Sequence, residues 1–295
     1  MSTEEALHEY DQFSKKVFSF RNKKWTTLTE KFRATALKDF VEDLVRRRNM
    51  GEYLLDPSLN HDSKGQCFVC AMPAGKVGQP RRLRSFHSPS REYGLEVKIW
   101  EAARATTAAS TYFKPMPIKT GEDTTEECID AAIGCNNPVD YLLQEAAAQI
   151  GTGRRLGCLI SIGTGTCVVK MERAPPGLRN IAHVKKFAGE LIQTLKSTAT
   201  DGEEPHRRLL AKLGSYQNAY FRFNVPNVAD QVGLGKYSKV HILKAATVTY
   251  LAEPLVSTQI LDVAVALGRN SSGHGLTLGH ICETNFLIPS LMNRY

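Results

Sequence analysis

Helical stripes and strand-length apolar runs alternate along most of this chain, and that alternation limits its fold more than any other feature. A capped start at Ser2 or Thr3, with Glu4 and Glu5 in the first turn and Leu7, Tyr10, Phe13, Val17 and Phe18 near one face, predicts an opening helix. A second helix is predicted over 35–48, where Leu37, Phe40, Val41, Leu44 and Val45 form the stripe and Arg46 to Arg48 suit the negative end of the dipole. Strand-like runs follow over 66–72 and 83–87, joined by the turn-rich Pro73 to Pro80 in the manner of a hairpin or looped link. Helices are expected over 95–109, 138–150, 181–197, 205–213, 236–251 and 254–267, with strands over 157–162 and 220–225. The Cys167-Val168-Val169-Lys170 run, which directly follows Gly163-Thr164-Gly165-Thr166, also reads as strand. The expectation is an α/β fold, layered helix–sheet–helix, with a largely parallel central sheet. Periodicity is lost beyond Gly268, so residues 1–268 read as one domain and 269–295 as an irregular tail.

Composition narrows the class further. Hydrophobic residues at 42% and charged residues at 23% are ordinary for a globular protein. No apolar stretch approaches the roughly 20 residues that cross a bilayer, and the start lacks the pattern of a secretory signal. A cytoplasmic location with peripheral membrane contact is therefore the expectation. The seven cysteines lack regular spacing. Cys67 and Cys70 form a C-x-x-C, but on a strand positions three apart face opposite sides, so no shared metal is expected. The net charge of +8 is concentrated in Arg46 to Arg48, Arg81 to Arg84, and Lys185 with Lys186. Such clusters read first as solvated helix ends and loops, then as a surface for anionic lipid. No aromatic-interleaved pattern suggests nucleic acid.

The chemistry centres on Asp130, in Cys128-Ile129-Asp130-Ala131-Ala132-Ile133-Gly134 followed by Asn136-Asn137-Pro138. An acid after an apolar position, shortly before an amphipathic helix, belongs at the exit of a strand. A carboxylate there can act as a base or serve as a turn residue. Gly163-Thr164-Gly165-Thr166 is neither a dinucleotide fingerprint nor a Walker loop, so no nucleotide or other cofactor is expected. His274 and His280 have no carboxylate nearby in sequence and suggest no metal; Trp100 and Arg104, one turn apart, suggest packing or a cation–π contact.

Three blocks carry a family resemblance: Lys98 to Phe113 with its Trp100-Glu101-Ala102-Ala103-Arg104 core, the run around Asp130, and Leu159-Ile160-Ser161-Ile162-Gly163-Thr164-Gly165. In that order, together with Tyr220 to Val225, they resemble the patatin-like phospholipase family from about Glu4 to Gly268. The resemblance implies a patatin-like fold and a serine–aspartate dyad with Asp130 as the base, the serine standing in G-x-S-x-G on a strand-to-helix elbow. It also implies lipid or phospholipid as the surface acted on, with no cofactor or metal.

The departures from the family pattern matter as much. Ala131 stands where glycine is usual, and if that position needs positive φ the alanine costs about 1 kcal/mol or shifts the turn. Ser110 stands where proline is usual. No serine has glycine both two before and two after it: Ser161 has Gly163 but Leu159, and Ser271 has Gly273 but Arg269. The run from Glu5 to Phe18 resembles the helix that follows the elbow, so the resemblance implies a domain missing its first strands, oxyanion loop and serine. Two functions compete on this reading. One is a lipid acyl hydrolase whose nucleophile lies in an upstream segment. The other is a non-catalytic relative acting at a lipid surface or as a regulatory partner.

Overall fold

The computed structural model describes residues 1–24, 31–55, 65–76, 78–88, 96–110, 112–166, 202–228, 232, 235–268 and 275–282. The readings at Cys167 to Lys170, 181–197, Ser271 and His274 lie outside these residues. The chain divides into two compact units, Met1–Asn136 with Gly233–Val240, and Asn137–Val232 with His241–Tyr295.

The first unit opens with α1 (Thr3–Val17) and α2 (Ala34–Arg47). The Ser2 hydroxyl accepts from the Glu5 amide while the Glu5 carboxylate accepts from the Ser2 amide, so both ends of the local pattern satisfy orphan groups of the first turn. Arg47 Nη1 and Nη2 donate to the two Glu9 oxygens at 2.7 and 2.9 Å, joining the two helices in a forked pair. Val17, Phe32, Leu37 and Phe113 are buried together beneath them.

Next come β1 (Phe68–Pro73), β2 (Arg81–Arg84), α3 (Ile99–Thr106), β3 (Met116–Lys119) and β4 (Thr125–Asp130). The strands form one sheet in the order β2-β1-β4-β3, and every pairing is antiparallel. This overturns the expectation of a largely parallel central sheet. The physical reason is connection length. The links between β1 and β2 and between β3 and β4 are a few residues each, and only a hairpin closes so short a path, whereas a parallel pair needs a crossover of a dozen or more. The fold remains a mixture of helix and sheet. Ala102 and Ala105 of α3 are buried with Ala71, Leu83, Met116, Ile118 and Cys128 of the sheet, so the alanine-rich face lets the helix lie close. Cys67 is exposed before β1 and Cys70 is buried within it, which places the two thiols on different sides. The Trp100 ring takes the Lys38 ammonium at 4.4 Å, and the Arg104 guanidinium lies over the Phe113 ring at 5.2 Å.

After β4 comes the single turn α4 (Ala132–Cys135). The second unit holds α5 (Val139–Ile150), β5 (Leu159–Ile162), a helix α6 over 202–213, β6 (Tyr220–Phe223), α7 (Val240–Leu251), α8 (Pro254–Gly268) and α9 (Leu278–Cys282). Strands β5 and β6 pair in parallel from Leu159 opposite Tyr220 to Ile162 opposite Phe223, with α6 in the crossover. Part of the stretch expected to be irregular is therefore helical. Leu278, Ile281 and Cys282 of α9 join Val139, Leu143, Leu159, Leu209 and Leu213 in one core. Backbone bonds from Leu156 to Leu276 and from Leu278 to Arg154 hold that segment in place.

Candidate active site

Asp130 is the last residue of β4, opposite Ala71 of the neighbouring strand. Its amide donates to the Ala108 carbonyl at 3.1 Å, which pins the strand exit to the segment after α3. The chain then turns sharply, and the Ala132 amide donates back to Asp130 Oδ1 at 2.8 Å. This is the side-chain mimic of a turn that aspartate favours. It fixes one carboxylate oxygen. Among the described residues the Ala132 amide is the only hydrogen-bond partner of that carboxylate, and no hydroxyl reaches it.

The alanine in place of glycine costs nothing here. Ala131 has φ −76° and ψ −3°, an ordinary right-handed conformation. The positive φ of this turn falls three residues later, on Gly134 at +90°, where an L side chain would be strained. The turn that presents Asp130 is unstrained.

Burial pushes the Asp130 carboxyl up from its ordinary range, and the Ala132 amide opposes that by favouring the charged form. Raised proton affinity with one free oxygen is what a general base needs. Two residues back on the same strand face, Cys128 is fully buried and its thiol is pushed up to about 11, chiefly by that burial. It stays protonated at neutral pH and is no nucleophile. Ser110, at the family's proline position, is exposed.

Ser161, the serine with a glycine two residues after it, sits in β5 with 7% of its surface exposed. Its hydroxyl accepts from Arg222 Nη1 at 2.8 Å and donates to Asn137 Oδ1 at 3.3 Å. Asn137 Nδ2 in turn donates to the Gly202 carbonyl, and Arg222 Nη2 and Asn224 Nδ2 both donate to Glu203 Oε1 at 3.1 and 2.9 Å. Among the described residues the Ser161 hydroxyl is bonded to an amide oxygen, a guanidinium and the Tyr220 phenol, and to no carboxylate or imidazole. Ser161 is held as a structural group.

The glycine-rich turn after β5 serves the same network. The Gly163 amide donates to Phe223, the Gly165 amide to Asn224 Oδ1 at 2.8 Å, and the Thr166 amide to Val225. These three donors are consumed within the protein. A Cβ on Gly163 would stand 2.3 Å from Asn224 Oδ1, which explains the glycine by close packing. At the other end of β6, Tyr220 and His206 share a 3.0 Å contact, and burial pushes the phenol up and the imidazole down. His280 lies on α9 with Nδ1 against the Thr277 hydroxyl at 3.0 Å.

The sequence reading found Asp130 and missed the network of Asn137, Glu203, Arg222 and Asn224. Its members converge through the pairing of β5 with β6, strands far apart in the chain, and no local pattern signals that pairing. The nearest cue was Gly163, whose missing side chain marks a close approach.

The chain is 28% identical over 183 residues to patatin-like phospholipase 1 of Plasmodium falciparum, covering 58% of this chain and 26% of that protein. It is 33% identical over 141 residues to the calcium-independent phospholipase A2-gamma of Mus musculus, covering 48% of this chain and 16% of the relative. The human counterpart is 31% identical over the same length. The chain thus spans about a quarter or less of the length of these relatives. No protein-family model matches it. The similarity over about half the chain supports a patatin-like family.

Proposed function

We propose that this chain carries the base half of a lipid acyl hydrolase centre, with Asp130 as the base and the ester bonds of membrane phospholipid or related lipid as its target. The observation that carries this is the Asp130 carboxylate itself. It ends a strand, one oxygen is fixed by Ala132, and the other has no partner among the described residues. Similarity to proteins named as phospholipases supports the substrate class.

The reaction needs a serine beside that free oxygen. Its proton passes to Asp130 as its oxygen attacks the ester carbonyl, the lysolipid alcohol leaves with the proton, and water then releases the fatty acid by the reverse relay. No serine of these 295 residues stands in G-x-S-x-G, and the buried Ser161 is committed elsewhere. The chain alone is therefore expected to be inert.

The test has two arms. The purified chain is treated with a fluorophosphonate serine probe and assayed on phosphatidylcholine; no label and no fatty acid are expected, and a labelled serine overturns the assignment. The chain is then fused to the elbow-bearing segment of a patatin-like relative. Hydrolysis that Asp130→Asn abolishes supports the role of Asp130. A folded fusion that stays inert favours the non-catalytic alternative.

A further inference from the structure

We propose that the elbow between α7 and α8 docks this protein on an anionic lipid bilayer. The axes of 237–251 and 254–268 meet at 81°; neither helix alone is long and apolar enough to span a membrane, while the bent pair taken together has the length and composition of an apolar segment. Both are rich in apolar residues, yet Val256 is their single fully buried position. Val248, Leu251, Leu255, Leu261, Val265 and Leu267 are all exposed, Leu255 at 82%. A helix that is apolar on every side is ordinarily covered, and exposed apolar side chains in this number mark a candidate interaction site.

The charges indicate what covers it. The exposed stripe of α7 runs at helical spacing from His241 and Lys244 to Val248 and Leu251. It is basic at its start and apolar where it meets the elbow. Lys236 and Lys239 immediately precede it in the chain, and α7 itself contains no acid. Glu253 at the bend and the half-buried Asp262 are the acids of this stretch. A bilayer interface has the same order, with anionic headgroups outside and acyl chains beneath, so the lysines meet phosphate while the leucines leave water. A second copy fits less well. A two-fold contact through this face would set the Lys244 end against its own image or against the apolar end.

The docking is independent of whether Asp130 acts on an ester, and its test requires no turnover. The purified chain is sedimented with vesicles of equal parts phosphatidylcholine and phosphatidylserine, and with vesicles of phosphatidylcholine alone. Leu255→Glu and Leu261→Glu alter exposed side chains, so circular dichroism should be unchanged while partition to the mixed vesicles falls about tenfold each. Lys244→Glu should reduce partition about fivefold on the anionic vesicles and leave the neutral ones unaffected. The proposal is overturned by unchanged partition in both leucine variants. It is equally overturned by a dimer that Leu261→Glu disperses with no effect on vesicle binding.

Discussion

Two strand ends in this molecule hold buried or half-buried polar groups, and they hold them in opposite ways. At the end of β4, Asp130 has one amide partner and a carboxylate oxygen without any among the described residues. At the end of β5, the Ser161 hydroxyl is caught between Arg222 and Asn137, and Glu203 and Asn224 extend the network. The lesson is that hydroxyl and acid identities say little by themselves. A group whose hydrogen-bonding capacity is consumed contributes structure, and a group left partly open at some cost in stability is the candidate for chemistry. Substitutions at the first end should therefore relieve the fold, and substitutions at the second should weaken it.

The largest effect is expected at Arg222. Its side chain is 10% exposed and donates to both Ser161 and Glu203. Arg222→Met removes the cation from the Glu203 carboxylate, leaving it the Asn224 amide, and takes from the Ser161 hydroxyl the guanidinium it accepts from. Glu203 is itself 36% exposed, so solvent offsets part of the loss. A destabilisation of about 3 kcal/mol by urea titration is expected, toward the low end for breaking a buried ion pair. A change near zero would mean that the network does not hold the two strands, and the contrast between the two ends would fail.

Gly163→Ala sharpens the contrast with a single methyl. The new Cβ would fall 2.3 Å from Asn224 Oδ1 and 2.9 Å from Arg222 Nη2, both ends of side chains already pinned by hydrogen bonds. Relief requires breaking one of those bonds, so a loss of about 2 kcal/mol is expected in the same titration. The pairing Gly163→Ala with Asn224→Ala should recover part of it, because the second change removes the obstructing amide.

Much of the first unit was legible locally. Ser2 and Glu5 announce the start of α1, and the turn-rich link from Pro73 to Pro80 announces the hairpin of β1 and β2. The hairpin of β3 and β4 was not legible. Met116-Pro117-Ile118-Lys119 carries a proline, and Thr125-Glu126-Glu127-Cys128 is acidic, so neither reads as strand from propensity. What rescues β4 is tertiary: Arg81 of β2 donates to Glu126 at 2.6 and 3.1 Å, and Cys128 is buried under α3. Missing that hairpin led to the parallel sheet. α9 escaped because five residues are too few for a period to show, and its stability comes from burial of Leu278 and Ile281. Asp130 was legible as a strand-end acid. The harmlessness of Ala131 was not, since the sequence does not say which residue of a turn takes the positive φ.

The smallest effect expected is also the one of opposite sign. Burial raises the Asp130 carboxyl above its unfolded value, so the folded chain holds that proton more tightly than the unfolded chain does. Stability is then fullest below the ordinary aspartate value of about 3.9, falls as pH rises toward the folded value, and stays lower above it. Asp130→Asn keeps an oxygen for the Ala132 amide and removes the partly buried charge. Its Tm should exceed that of the parent chain at neutral pH, with the two curves converging in acid. A variant that instead melts earlier at neutral pH would show the carboxylate to be stabilising, and would place Asp130 with Ser161 among the groups that serve only the fold.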